Sequence, residues 1–362
     1  MRFIDVVMRR HKEGLVGMTY TLANYLARYN ITVNCVVPGR IMESPSELDF
    51  AREKQSLILP LGRIGSTAEV VISNTKRIMR PQKAIREAMF KKGIRWVRNM
   101  ATTAQQLSSE RARFPFQLSD EIIKRVGKRM DGATTWRITH PNGTDVLGKI
   151  GDVPTPGSGI KRYGERRGEG NNRPFPQGCH NPVSSKEANG VFVLEHTLPM
   201  QAKYVGVPLT RFDKPVKVFV ENNRMVRFEG GLEAKRLRRF YESLAPQVGD
   251  DVWSVCGFHA GISPKARVYE SRERFPEAWV EGPHNSSRMV HCHLGAPTTR
   301  EHDYPFMTHL SCFLGEGATV YIDGEKLYDE GHFTFLDDPE TRKLAAQYGD
   351  PDTLLSEVTL QA

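Results

Sequence analysis

VKVFVENNRMVRFEGG, residues 216–231, is the stretch on which the fold reading turns. It reads as a strand, a turn around Asn222-Asn223 and a second strand, because asparagine tolerates the backbone that tight hairpin turns need. Glu229-Gly230-Gly231 then opens LEAKRLRRFYESL (232–244), an amphipathic helix by its apolar spacing. Just upstream, GVFVLEHT (190–197) is another strand. Further out, TTWRITHPNGTDVLGKIGD (134–152) forms strand, Pro141-Asn142-Gly143 turn and strand, and TVYIDGEKLYDEGHF (319–333) turns at Asp323-Gly324. Successive hairpins around one long helix predict an α+β domain with a large, mainly antiparallel sheet.

Three histidine islands sit among the later strands: His259 in WSVCGFHAGISPKARV, His291 with His293 in SSRMVHCHLGAP, and His309 in MTHLSCFLGEGATVYIDGE. Histidine is the commonest metal ligand, and ligands converge at strand ends and loops. The steps of 32 residues (259 to 291) and 18 residues (291 to 309) exclude a zinc-finger clip, whose ligand pairs lie close together. They suit a site assembled from several strands. One such histidine alone is more often an ordinary polar residue on a sheet; three islands in one stretch bring metal binding level with that reading. Residues 151–188, rich in Gly, Pro, Arg and Asn, form a long loop of the lid or binding type, ending on Cys179-His180. A soft thiol beside an imidazole is a metal-ligand candidate, against the ordinary reading of Cys179 as a small buried apolar residue.

A chain of 362 residues holds two or three domains. The apolar share of 39% and charged share of 26% are those of a globular protein. No apolar run reaches the roughly 18 residues of a membrane helix, and MRFIDVVMRRHKEG lacks a signal-peptide core. Five scattered cysteines without a CxxC fit a reduced, cytoplasmic chain. The net charge of +9 is concentrated between Lys76 and Arg98, where nine Lys/Arg face one Glu. With no nucleic-acid-binding motif beside it, the block reads as a solvated helical face or linker. The partner expected is a small molecule, not nucleic acid or a membrane.

Residues 12–29 have helical apolar spacing, and ITVNCVVPG (31–39) reads as a buried strand and a turn, a parallel α/β unit. Together with PLGRIGSTAEVV (60–71), this stretch resembles the C-terminal third of a short-chain dehydrogenase/reductase. Lys12, Asn34, Pro38 and Gly39 match that family's catalytic lysine and VNxVxPG strand end. Met8 stands at the catalytic tyrosine position, and residues 1–71 show no glycine-rich cofactor loop. An NAD(P)-dependent oxidoreductase needs both, so no turnover is expected from this segment. The organisation expected is therefore an α/β segment over 1–71, a basic helical connector over 72–115, and a metal-dependent catalytic domain over 116–362. Within the last, LSDEIIKRVGKRM (118–130) reads as a helix capped by Ser119-Asp120, and the tail from 336 as a short helix with a frayed end.

Residues from about 116 to 335 resemble a metal-dependent superfamily that includes aminopeptidase T-type metallo-aminopeptidases and the 2,5-dihydroxypyridine 5,6-dioxygenases, with 5-nitroanthranilate aminohydrolase a further relative. The matching phrases are THPNGTDV (139–146), FPQG (175–178) ahead of GVFVLE, FEGGLEAKRL, GFHAGISPKAR and His309 ahead of VYIDGE. The resemblance places His259 where the dioxygenases have histidine and the aminopeptidases an acid. His291 falls on an aminopeptidase histidine, and His309 on the histidine of a late His-x-Asp pair whose aspartate position is Ser311. The loop glutamate of the aminopeptidases falls near Cys179 or His180. Carboxylates are thus depleted, which argues against two-metal peptidase chemistry. The resemblance implies a mononuclear metal enzyme acting on a small aromatic or heteroaromatic substrate, by ring-opening oxygenation or by hydrolysis. His259, His291 and His309 would hold the metal, with His180, Glu195 or Glu229 as further candidates. His293 is the expected acid/base or supporting residue, and Glu229 the expected catalytic carboxylate. Fe(II) is the first choice of divalent metal, Zn or Mn the second. The alternatives are a metallo-aminopeptidase-like hydrolase and a non-catalytic binding or assembly protein. By resemblance the chain is a homodimer.

Overall fold

The computed structural model describes residues 104–151, 172–176, 178–180, 182–197, 211–269, 279, 281–296 and 309–360, with the backbone of three short strands before them. The chain divides into two units, Met1–Ile72 and Ser73–Ala362. In the first, β1 (Ile41–Met42) and β2 (Gly65–Ser66) pair in parallel. The expected helix over 12–29 and strand over 31–37, with Met8, Lys12, Asn34, Pro38 and Gly39, lie outside the described residues, as does most of the basic block.

In the second unit, β3 (Trp96–Asn99) pairs in parallel with β6 (Asn172–Phe175). Two single-turn helices follow β3, α1 (Ala104–Leu107) and α2 (Glu110–Arg113), and then the longer α3 (Phe116–Met130). Helix α3 buries Leu118, Ile122, Val126 and Met130, a stripe at intervals of four. It starts earlier than Ser119-Asp120 implied. Pro115 occupies the cap position, and the Ser119 hydroxyl donates back to the Pro115 carbonyl at 3.4 Å. A serine satisfied inside the first turn does not begin a helix.

The 11-stranded sheet runs β10-β11-β12-β7-β5-β4-β13-β14-β15, with β8 and β9 added on β7. Its strands are β4 (Thr135–His140), β5 (Thr144–Ile150), β7 (Val183–Thr197), β8 (Arg211–Glu221), β9 (Arg224–Glu229), β10 (Val255–Ala260), β11 (Met289–Gly295), β12 (His309–Glu316), β13 (Thr319–Ile322), β14 (Glu325–Asp329) and β15 (His332–Phe333). All pairings within it are antiparallel. Asn222 and Asn223 both take positive φ, 44° and 67°, the backbone of a tight primed turn between β8 and β9. Helix α4 (Gly231–Val248) buries Leu237, Phe240, Tyr241 and Leu244. Strand β5 alternates buried and exposed residues, whereas β10 and β11 are buried at every position. Both faces of the latter two are therefore covered.

The pairings of β7, β10, β11 and β12 close on themselves. β10 pairs with β11, β11 with β12, β12 with the end of β7, and the start of β7 with β10. Gly257 makes the last contact possible. Its φ is +149°, and a Cβ there would lie 1.9 Å from the Val183 carbonyl oxygen. The core runs from Trp136, against Phe258 at 5.3 Å, through the inward faces of these strands to α4.

The turn between β13 and β14 is tied to the start of β4. Asp323 accepts from the Thr135 amide at 2.8 Å, the Thr134 amide at 3.1 Å and both threonine hydroxyls at 2.9 Å. These bonds, the Thr135 amide first, outweigh desolvation and hold the carboxyl at about 2. A group depressed in the folded state contributes stability above its unfolded pKa, near 3.9, and loses it as pH falls through its folded value. Asp323→Asn is therefore expected to lower the thermal midpoint at pH 7, with the difference shrinking as pH falls towards 2, when melting curves of the two proteins are compared. The site is exposed, so the effect is modest.

Helices α6 (Pro339–Ala345) and α7 (Pro351–Leu355) follow, and the described residues beyond them, 356–360, are held by hydrogen bonds. The Val358 amide donates to Pro264 at 2.9 Å and the Leu360 amide to Glu316 at 3.1 Å. Glu357 sits against His332 Nδ1 at 2.7 Å. These long-range bonds anchor the tail through residue 360. Among the described residues, no helix is long and apolar enough to cross a membrane.

Candidate metal centre

Register builds the site. His259 on β10 lies directly opposite His291 on β11, and Gly257 lies opposite His293. His291 and His293 are two residues apart and share one face of β11. With no side chain at Gly257, all three imidazoles converge, and their ligand atoms lie within 4.8 Å of one another. The ring of His259 stands 4.0 Å from that of His291 and 4.6 Å from that of His293. All three residues are buried. Among the described residues, His259 Nε2 has no hydrogen-bond partner.

Burial first, then the neighbouring His291, His284 and His180, hold the His259 pKa well below 6.5. The imidazole is neutral at physiological pH, the form a metal takes. Three buried imidazoles, one of them with an orphaned ring nitrogen, fit a divalent ion. In this donor set His293 stands as a third nitrogen beside His259 and His291.

His309, on β12 opposite Gly295, places its ring 5.1 Å from that of His293. Burial holds its pKa at about 4, and among the described residues its Nδ1 has no hydrogen-bond partner. Ser311, where the resemblance puts an aspartate, is opposite His293 and buried. His180 turns elsewhere: its Nε2 accepts from the Ala260 amide at 3.0 Å, and its carbonyl faces His259 Nδ1 at 3.3 Å. It orients His259 from behind. Glu229 is not brought to the cluster; it ends the outlying strand β9, half-exposed, and pairs with Arg227. Glu195 is exposed on β7 and approaches Gly315.

Two histidines that spacing did not single out join the group. His284, on the short helix α5 (Glu281–Asn285), has its ring 4.7 Å from His291 and 5.6 Å from His259. His196 on β7 stacks on Phe313 at 4.4 Å, and Phe313 stacks on His291 at 4.9 Å. Trp279 meets His196 at 5.1 Å. Rings thus continue the row His259, His291, Phe313, His196 across the closed strands. The one signal for His284 was its position seven residues before His291. On the other side of the same strands, Cys292 and Cys312 are directly opposite one another, and burial pushes the Cys292 thiol well up.

An α+β domain with a closed group of strands and a buried multi-histidine donor set is the class that fold and site define. The chain belongs to the 2,5-dihydroxypyridine 5,6-dioxygenase (NicX) family, whose profile matches residues 66–334. The solved 2,5-dihydroxypyridine dioxygenase of Pseudomonas putida KT2440 shares the fold, with a TM-score of 0.50 at 13% identity over 82% of this chain and 90% of that one. AmpT of Thermus thermophilus overlaps with a TM-score of 0.39 at 10% identity, covering 82% and 94%. The N-terminal part is similar to short-chain reductases. These include carbonyl reductase family member 4 of Xenopus laevis, at 40% identity over 62 residues, 17% of this chain and 26% of that protein. The 3-oxoacyl-(acyl-carrier-protein) reductase of Thermotoga maritima is 46% identical over 61 residues, 16% and 25% of the two chains. The chain spans about a quarter of the length of these curated relatives.

Proposed function

We propose that this protein is a single-metal enzyme that opens the ring of a small aromatic or heteroaromatic substrate, with His259, His291 and His293 holding Fe(II). The carrying observation is the convergence of three buried imidazoles whose ligand atoms lie within 4.8 Å of one another; family membership supports the oxygenase chemistry. An iron ion with open positions supplies oxygen activation next to a bound ring. The chain's own residues bind and orient. The His309 ring, neutral at neutral pH, offers its Nδ1 for a hydrogen bond with a substrate hydroxyl. His196, Phe313 and Trp279 surround the row with flat rings, an environment that matches a planar substrate by offset stacking. Strands β10 and β11, buried at every position, keep water from their side of the site. The segment over 1–71 takes no part, since Met8 replaces the proton-donating tyrosine.

An all-histidine donor set also favours zinc with an activated water, hence a hydrolase as second reading. Elemental analysis of untagged protein purified without chelators separates the two. The expected result is about one iron per chain, retained only under anaerobic purification, with oxygen uptake on adding 2,5-dihydroxypyridine. Zinc or manganese indifferent to air, without oxygen uptake, would establish the hydrolase reading instead. A metal-free folded protein would overturn both.

A further inference from the structure

Beside the histidine set, the end of the 172–180 segment meets α5. Cys179 Sγ lies 3.6 Å from His284 Nδ1 and 3.8 Å from Asn285 Oδ1, and donates to the His284 carbonyl at 2.9 Å. The place is built tightly. A Cβ on Gly178 would fall 1.7 Å from Asn285 Oδ1, and one on Gly261 would fall 2.2 Å from the Asn285 carbonyl carbon. Cys179 also forms a bridge with Gly261. Asn285 Nδ2 is tied to the Glu281 carbonyl at 2.6 Å and to its carboxylate at 3.0 Å, which leaves Oδ1 turned towards the thiol.

The spacing has a chemical meaning. A zinc-class ion binds thiolate sulfur at about 2.3 Å and imidazole nitrogen at about 2.0–2.1 Å, and tetrahedral angles then set the two donors about 3.6 Å apart. The Cys179–His284 pair already has that separation, and Asn285 Oδ1 supplies an oxygen at a similar one. Cys179 is half-buried, while Cys256, Cys292 and Cys312 are buried. Buried Arg111, which donates to the Pro176 carbonyl at 3.3 Å, faces the thiol electrostatically. Its charge favours the thiolate once the proton leaves.

We propose that Cys179, His284 and Asn285 form a second metal site, a thiol–imidazole–amide clip that takes one thiophilic divalent ion of the zinc class. Binding forms sulfur–metal, nitrogen–metal and oxygen–metal bonds. The Cys179 proton goes to solvent, the carbonyl of His284 loses its hydrogen bond, and no electrons move. The clip shares no donor with His259, His291 and His293, so it stands or falls apart from the reading of that set.

The test loads the full-length protein with Co(II) and reads the near-ultraviolet thiolate-to-cobalt absorption. The band is expected in the native protein, absent in Cys179→Ser, and reached in His284→Gln only at tenfold or more higher cobalt. Bound cobalt without the band, or a band that persists in Cys179→Ser, overturns the clip. A second measurement needs no variant: Zn(II) is expected to slow iodoacetamide labelling of Cys179, saturating at one ion per thiol. Labelling at an unchanged rate under saturating zinc overturns it too. If the histidine set holds no metal, band and protection still remain.

Discussion

His259→Ala is expected to empty the histidine set of metal and to lower turnover by more than about 100-fold. Loss of a partner outside the ligand shell already costs 10–100-fold in many metal sites. His259 is the hub of the set: it faces His291 across the ladder and His293 diagonally. Its removal leaves His291 and His293, rings 5.5 Å apart on one strand, without a nitrogen from β10. His309→Ala keeps those three donors and is expected to lose activity while retaining metal. The pair is read by metal content after anaerobic loading, alongside initial rates. Full metal retention in His259→Ala would sink the assignment.

The second large effect is expected at Gly257. Alanine there meets two penalties. The left-handed backbone costs about 1–3 kcal/mol for a side-chain-bearing residue, and forcing a methyl into a packed position costs another 1–3 kcal/mol or so. The contact is with backbone, the Val183 carbonyl, which no rotamer change relieves. A loss of roughly 2–6 kcal/mol follows, comparable with the whole stability of a marginal domain. Gly132→Ala is the control. Its φ is +80° and nothing lies within 4 Å of the added carbon, so it carries the backbone penalty alone. Urea midpoints of the two variants, taken with equal slopes, should differ in that order. Equal midpoints would show that the β7–β10 contact does not depend on the missing side chain.

Local chemistry made much of this fold legible. Asn222-Asn223 and Asp323-Gly324 announce turns because few other residues accept positive φ, and the turns fall where expected. The histidine islands mark β10, β11 and β12 because strands of a site carry their donors in phase with the pleat. Register was not legible. That His259 faces His291 while Gly257 leaves room beside His293 is a long-range pairing that no local pattern encodes. The same holds for His284, delivered by a five-residue helix, and for Glu229, whose position depends on β8 and β9 forming the outlying strands of the sheet. Ser119 misled because a hydroxyl serves equally as a cap or as a back-bonding group within the first turn.

The alternation on β11 has a consequence for metal selection during folding. His291, Cys292 and His293 follow one another, and Cys292 faces Cys312 across the ladder. A slip of one residue would carry every side chain to the other face. The ion would then meet the Cys292 sulfur where two imidazoles had stood, and a soft metal such as Cu(I) would stabilise the misaligned sheet. Hardness of the bound ion is thus encoded in backbone pairing as much as in ligand identity. A nascent chain that meets copper before its strands have locked is the one most exposed to this trap.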